Sequence, residues 1–186
     1  MKVIFLDVDG VLNGYNCLDS IKCKLMDILK SYNLCTNWYR NYRTKLVYVD
    51  EKRVKRLAKI VHSTGAKVVL SSSWRDGFWN IPYEKKSVPQ KLLTDLFNKY
   101  DIQVIGITPN AHDGKRYKEI MSWLSKHIEV DGYVILDDEI LDLRCFVGIR
   151  LVQTISTFMG KERVGLEREH IQEAINILNK EFIRSE

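Results

Sequence analysis

The sequence lacks any apolar run that approaches the length needed to cross a bilayer. Its N-terminus passes from Met1-Lys2 directly into a short apolar segment, without the longer apolar region of a signal peptide. Internal repeats, low-complexity tracts and long linkers are also lacking. We therefore expect a single cytoplasmic domain over residues 1–186, because a chain of this length, with 45% hydrophobic residues, can bury a core of its own.

Cysteine is scarce and irregularly spaced. The four cysteines include no Cys-x-x-Cys pair, so the sequence indicates neither a zinc ribbon nor a redox motif. The four histidines are scattered without the spacing of metal ligands, and we predict structural or surface positions for them. A formal net charge of +5 is consistent with phosphate-bearing partners, but this charge is too small and too dispersed to indicate nucleic-acid binding by itself.

Short apolar runs that end at small, polar or acidic residues alternate with amphipathic helical patterns. The predicted strands are 3–6, 66–70, 102–107, 133–136 and 149–154, and the predicted helices are 51–63, 89–99, 115–127 and 167–183. This alternation predicts an α/β domain with a mostly parallel five-strand sheet, because parallel strands need crossovers and helices cover both faces of such a sheet. Residues 13–49 break the alternation with an apolar-periodic piece and a polar-aromatic stretch, and we predict an insertion there.

Polar residues collect where the predicted strands end. These ends carry Asp7 and Asp9, the serines 71 to 73, and Asp137 with Asp138. In a doubly wound sheet, ligands bind outside the carboxyl ends of the strands. Oxygen ligands in this number suit a hard cation such as Mg²⁺, and without a cation the carboxylates would repel each other and any phosphate. The sequence therefore predicts a magnesium site at this edge of the sheet.

The segment Asp7-Val8-Asp9-Gly10-Val11-Leu12 resembles the first motif of the haloacid dehalogenase (HAD) superfamily, in which a strand ends in Asp-x-Asp-Gly. Three further motifs follow in register with the strand order: a strand that ends in Ser, a basic residue that opens a later helix, and the pair Asp137-Asp138. The resemblance implies a three-layer, Rossmann-like HAD core with a small cap formed by residues 13–49.

The resemblance implies distinct roles for the acidic residues. Asp7 would be the nucleophile that forms an aspartyl-phosphate, and Asp9 would protonate the leaving oxygen and then activate the hydrolytic water. Superfamily members without the second Asp are typically dehalogenases, and the transport ATPases carry Thr there, so Asp9 favours phosphatase or phosphomutase chemistry. Mg²⁺ would be held by Asp7, the backbone carbonyl of Asp9, and Asp137 or Asp138, of which we favour Asp137.

The same resemblance implies a hydroxyl that hydrogen-bonds the transferring phosphoryl group. Ser71 and Ser72 compete for this role, and we favour Ser72 because similar family segments place the hydroxyl two residues before a Trp, here Trp74. Ser73 completes the cluster of candidate substrate-binding hydroxyls.

Basic residues would stabilise the phosphoryl group and the nucleophile. Arg116 or Lys115 would supply this charge at the start of a helix, and Arg75 is a second candidate phosphate ligand. More narrowly, the segments 70–75, 108–109, 116–120 and 135–138 look like the HAD domain of Swiss-army-knife RNA repair proteins, which are associated with end processing of nucleic acids.

Two functions of other classes remain as alternatives. A receiver-like signalling module shares the acidic pair, the hydroxyl and a Lys, but its phosphorylated Asp ends the third strand, where this chain has Thr108-Pro109. A non-catalytic nucleic-acid-binding module would use the net charge and the aromatic-basic residues 38–43. Acids at every expected strand end favour the enzyme, so we predict a Mg²⁺-dependent phosphomonoester hydrolase that acts on a nucleotide or nucleic-acid end. No membrane or protein partner is indicated.

Overall fold

The computed structural model describes residues 1–13, 49–155 and 165–180. The strands in these residues are β1 (Lys2–Leu6), β2 (Lys67–Leu70), β3 (Val104–Ile107), β4 (Gly132–Asp137) and β5 (Leu151–Gln153). The helices in them are α1 (Glu51–Thr64), α2 (Arg75–Phe78), α3 (Val88–Lys99), α4 (Arg116–Ser125) and α5 (Arg168–Leu178), with 3₁₀ turns at Tyr83–Lys85 and Arg144–Phe146. The predicted insertion, apart from residues 13 and 49, lies outside the described residues.

The five strands form one entirely parallel sheet in the order β3-β2-β1-β4-β5. The chain builds outward from β1 through β2 to β3, and then crosses to the other side of β1 to form β4 and β5. At the carboxyl end of the central strand, Leu6 pairs with Leu70 of β2 and Leu136 of β4. Because the direction of winding reverses next to β1, its carboxyl end borders the crevice where doubly wound sheets bind ligands.

Alternate residues of β1 enter cores on opposite faces of the sheet. Ile4 and Leu6 belong to the apolar cluster that includes buried residues of α1, α3 and α5. Val3 and Phe5 belong to a second cluster on the α4 side, where the Phe5 ring meets the edge of Trp123 at a centroid distance of 5.4 Å. Both faces of the sheet are therefore covered by helices, and the predicted three-layer α/β fold is confirmed.

Local signals account for most of the element boundaries. The Asp50 carboxylate accepts the backbone N–H of Lys52 and caps the start of α1, and Gly65 ends this helix in the left-handed conformation at φ +67°. The short helix α2 was not predicted, because four residues carry no hydrophobic period. No helix in the described ranges is long and apolar enough to span a membrane.

Candidate active site

The first site segment is the turn that follows β1. The backbone N–H of Asp7 donates to the carbonyl of Leu136 at 3.0 Å, which joins this turn to β4. Gly10 adopts φ +74°, and a Cβ at this position would lie 2.3 Å from Cγ of Asp138, so only glycine fits here. The Thr154 hydroxyl donates to the Gly10 carbonyl at 2.8 Å. The turn is thus closed against the residues that follow β4 and β5.

Three of the predicted acids converge beside this turn. Asp7, Asp137 and Asp138 each offer a carboxylate oxygen within 4.8 Å of the others. Asp7 and Asp137 are buried, with 5% and 0% exposure, and Asp138 is partly exposed. Three hard oxygen ligands with one side open to solvent are a donor set that fits Mg²⁺, which commonly keeps water and substrate oxygens in its remaining positions.

The buried acids carry strongly perturbed pKa values. Burial, followed by the nearby charge of Asp137, raises the pKa of Asp7 to about 7, although Arg116 and a hydrogen bond from Ser72 oppose this shift. Burial also raises the pKa of Asp137 to about 6, against the opposing effect of Arg116. Ionising two neighbouring carboxylates in a buried site costs free energy, so the site favours the binding of a cation.

Arg116 is the basic residue that contacts these acids. It is the first residue of α4, and its Nη1 atom lies 2.5 Å from Oδ2 of Asp137 and 3.6 Å from Oδ1 of Asp7. Burial alone lowers the pKa of Arg116, but the two carboxylates outweigh it and raise the pKa above its ordinary value. Lys115 is exposed one residue earlier, where its backbone N–H faces Asp113 at 3.4 Å. The helix start therefore directs Arg116, rather than its neighbour, to the acids.

The three candidate serines occupy different environments after β2. The Ser72 hydroxyl hydrogen-bonds the Asp7 carboxylate. The Ser71 hydroxyl instead accepts from Thr108, at an Oγ1–Oγ distance of 3.5 Å, beside the end of β3. Both side chains are 1% exposed, whereas Ser73 is exposed. Of the three hydroxyls, that of Ser72 is the one beside the candidate nucleophile.

Arg75 is engaged by protein groups. Its guanidinium pairs with both carboxylate oxygens of Glu119, at 2.6 and 2.9 Å, and its Nη1 also donates to the Thr108 hydroxyl at 2.8 Å. A further bond joins Arg75 to Asn110. Glu119 is 4% exposed, so this is a buried, fork-to-fork ion pair. These contacts join α2 to α4, and the role of Arg75 as a phosphate ligand stays a prediction.

One of the comparisons with known proteins identifies a family. The sequence model of the family described as the HAD domain in Swiss Army Knife RNA repair proteins matches residues 3–171. The chain belongs to this family. No curated protein and no solved structure matches it. The matched range of this HAD domain runs from β1 into α5 and contains all four site segments. Family membership supports a hydrolase of the HAD type and confirms both resemblances noted in the sequence.

The HAD domain also contains site contacts that the sequence did not reveal. Asn13 and Trp74 both donate to the carboxylate of Asp9, and Glu119 holds Arg75. The sequence could have indicated that Glu119 lies near the site, because this residue follows Arg116 by three positions and is therefore on the same side of α4. It carried no such indication for Asn13, since asparagine is common after any turn.

Proposed function

We propose that this HAD domain is a Mg²⁺-dependent phosphomonoester hydrolase that works through an aspartyl-phosphate on Asp7. The observation that carries the proposal is the contact of one buried carboxylate, Asp7, with both a guanidinium and a hydroxyl at the carboxyl end of β1. Phosphoryl transfer needs a positioned nucleophile and donors around the equatorial oxygens. Arg116 and Ser72 are the donors beside Asp7, so they are suited to hold the transferring group.

The metal would be held by Asp7, Asp137 and Asp138, together with the backbone carbonyl of Asp9. Support comes from the mutual distances of the three carboxylates. Burial raises the pKa values of Asp7 and Asp137 even though Arg116 lies beside them, so both acids would gain from a further positive charge. A bound Mg²⁺ supplies positive charge that neutralises these acids and polarises a phosphate oxygen.

The chain's own residues divide the reaction into two steps. In the first, a carboxylate oxygen of Asp7 attacks phosphorus, the bond to the ester oxygen breaks, and Asp9 gives that oxygen a proton. In the second, Asp9 takes a proton from water, which attacks the aspartyl-phosphate, releases phosphate and restores Asp7. Asp9 is exposed, as a residue that meets both a leaving group and incoming water needs to be.

The proposed substrate is a nucleotide or a nucleic-acid end. The family occurs in RNA repair proteins, and the chain carries a net charge of +5. Lys52, Lys55 and Lys59 are exposed on α1, and the residue before α1, Asp50, donates its N–H to the carbonyl of Leu12 in the site turn at 2.8 Å. The bond brings the start of α1 next to the site turn, and the exposed lysines of α1 add positive charge to this helix that can attract a phosphate backbone.

Purified protein with Mg²⁺ is expected to release phosphate from 3'- or 5'-phosphorylated oligonucleotides with a higher kcat/KM than from the matching mononucleotides or from sugar phosphates. A colorimetric phosphate assay over this panel measures the preference, with Asp7→Asn as the control for contaminating phosphatases. Turnover confined to small metabolites would remove the nucleic-acid preference. Oligonucleotide binding without any phosphate release would instead favour a non-catalytic binding module.

The metal-free protein is expected to become less stable as the pH rises from about 5.5 to about 8. Asp7 and Asp137 have pKa values of about 7 and about 6 in the folded state, above the ordinary value of 3.8 for an aspartate. Their protonated forms are favoured on folding, so their contribution is complete below about pH 4 and is lost as the pH rises through these values. Thermal unfolding in EDTA measures the decline of Tm.

Added Mg²⁺ should recover most of this loss at about pH 8 and little at about pH 5.5, because protons compete for the same oxygens. Asp137→Asn should flatten the pH dependence in EDTA, whereas Asp76→Asn, at an exposed position on α2, should leave it unchanged. A Tm in EDTA that rises between the two pH values would contradict the assigned charges.

A further inference from the structure

Two nitrogen donors hold the carboxylate of Asp9. Trp74 donates from Nε1 to Oδ2 at 3.0 Å, and Asn13 donates from Nδ2 to Oδ1 at 2.6 Å. Asp9 is exposed, unlike Asp7, so core packing does not select its rotamer. An exposed Asp without such contacts would exchange among several orientations. The two bonds therefore determine where this acid points.

Both donors are themselves fixed to the catalytic segments. Asn13 is 7% exposed, and its Oδ1 accepts the backbone N–H of Gly10 at 2.9 Å, which also decides the orientation of its amide. Trp74 packs against the core cluster of α1, α3 and α5, and its backbone N–H faces the hydroxyl of Ser72 at 3.4 Å. Asp9 is thus tied to the turn after β1 and to the segment that hydrogen-bonds Asp7.

We propose that Trp74 and Asn13 are positioning residues that aim Asp9 at the leaving oxygen of the substrate. The inference rests on the proposed function, in which Asp9 is the acid and base. Proton transfer needs the acid within about 2.6–3.2 Å of the oxygen it protonates, so a loosely held acid is a poor one. An indole N–H is a donor only, and a carboxyl group keeps acceptor sites when protonated, so Trp74 can hold Asp9 in both protonation states.

Trp74→Phe removes the donor and keeps most of the aromatic packing. A general acid matters for an alkyl phosphate, whose leaving oxygen needs a proton, and hardly matters for dinitrophenyl phosphate, whose leaving group is stable as an anion. We expect kcat/KM for an alkyl or ribose phosphate to fall about 10-fold, part of the effect of losing a general acid, while the value for dinitrophenyl phosphate changes less than about two-fold. The parameter kcat/KM covers only the steps up to formation of the aspartyl-phosphate, so slow hydrolysis of this intermediate does not mask the effect.

Asn13→Ala removes the second donor, together with the acceptor of the Gly10 N–H, and should produce the same selective loss. In the double variant, the loss of kcat/KM for the alkyl phosphate relative to dinitrophenyl phosphate should approach the loss in Asp9→Asn. Trp79→Phe is the matched control, because Trp79 is a partly buried tryptophan directly after α2 and has no assigned part in the site. This variant should leave kcat/KM for both esters unchanged.

The outcomes separate the inference from the function on which it rests. Asp9→Asn should lower kcat/KM for the alkyl phosphate much more than for dinitrophenyl phosphate. If it does, the positioning role is overturned when Trp74→Phe and Asn13→Ala lower kcat/KM equally for both esters, or for neither. An Asp9→Asn variant that does not discriminate between the esters, or an Asp7→Asn variant that still turns over, would overturn the proposed function and the inference with it.

Discussion

Asp7→Asn is expected to lower kcat by at least about 1,000-fold, because an amide cannot take the place of the carboxylate that attacks phosphorus. The same substitution should raise the Tm of the metal-free protein at about pH 8. At that pH a carboxyl with a pKa of about 7 is mostly ionised, in a buried site that it shares with Asp137. Asparagine has nearly the same shape without the charge, so it removes this cost. Phosphate release and thermal unfolding in EDTA measure the two effects.

Lost activity together with raised stability cannot result from misfolding, which makes this pair of readouts more decisive than either alone. Asp9→Asn is the matched control: it removes a carboxylate two residues away, but from an exposed position, so its Tm in EDTA should remain near that of the unaltered chain. Substantial turnover by Asp7→Asn would refute the aspartyl-phosphate mechanism. A lower Tm in EDTA would refute the electrostatic account of the site.

Arg116→Ala is expected to reduce kcat/KM by about 100- to 1,000-fold, the size of effect seen when a preorganised donor to a transition state is removed. One guanidinium lies 2.5 Å from Asp137 and 3.6 Å from Asp7, and the substitution removes it from both. It should also cost about 3 kcal/mol of stability in the metal-free protein, because Asp137 is wholly buried and loses its positive partner. Kinetics with excess Mg²⁺, below the melting temperature, measure the catalytic part.

Two variants test why Arg116 has this effect. Arg116→Lys keeps the charge but replaces a planar fork by a single ammonium, so it should recover part of the activity and remain about 10-fold below the unaltered chain. Lys115→Ala should leave the hydrolysis of small phosphate esters unchanged, because Lys115 is exposed and the ion pairs with Asp7 and Asp137 are made by Arg116. A larger loss in Lys115→Ala than in Arg116→Ala would reverse the assignment of the two residues.

Fold class was accessible from the sequence because its signals are local. Apolar runs with abrupt polar ends marked all five strands, and the 3.6-residue period marked α1, α3 and α4 within two residues of their bounds. The helix α5 ends at Leu178, before the predicted end at 183, and residues 181–183 of that prediction lie outside the described residues. The helix α2 was not predicted, because a single helical turn is too short to show a hydrophobic period. The predicted cap at 13–49 and the single-domain boundary 1–186 stay predictions, as do the roles assigned to the site residues.

The chemical character of the site could be predicted from the residue types at the strand ends. Carboxylates and hydroxyls follow the predicted parallel strands, which present their carboxyl ends at one edge, so the convergence of Asp7 with Asp137 was predictable. The sequence favoured Ser72 over Ser71 only by resemblance to similar family segments, and it left Lys115 and Arg116 as alternatives. Adjacent residues point in different directions, and only the paired strands and the exact start of α4 establish which one faces Asp7.

Contacts between residues far apart in the chain could be established only from the folded structure. Arg75 meets Glu119 across 44 positions, and Trp74 meets Asp9 across 65. A hydrophobic period records which face of an element is buried, but it carries no information about which polar side chain meets which across a packed interface. For that reason the sequence indicated neither the ion pair of Arg75 with Glu119 nor the hydrogen bond from Trp74 to Asp9.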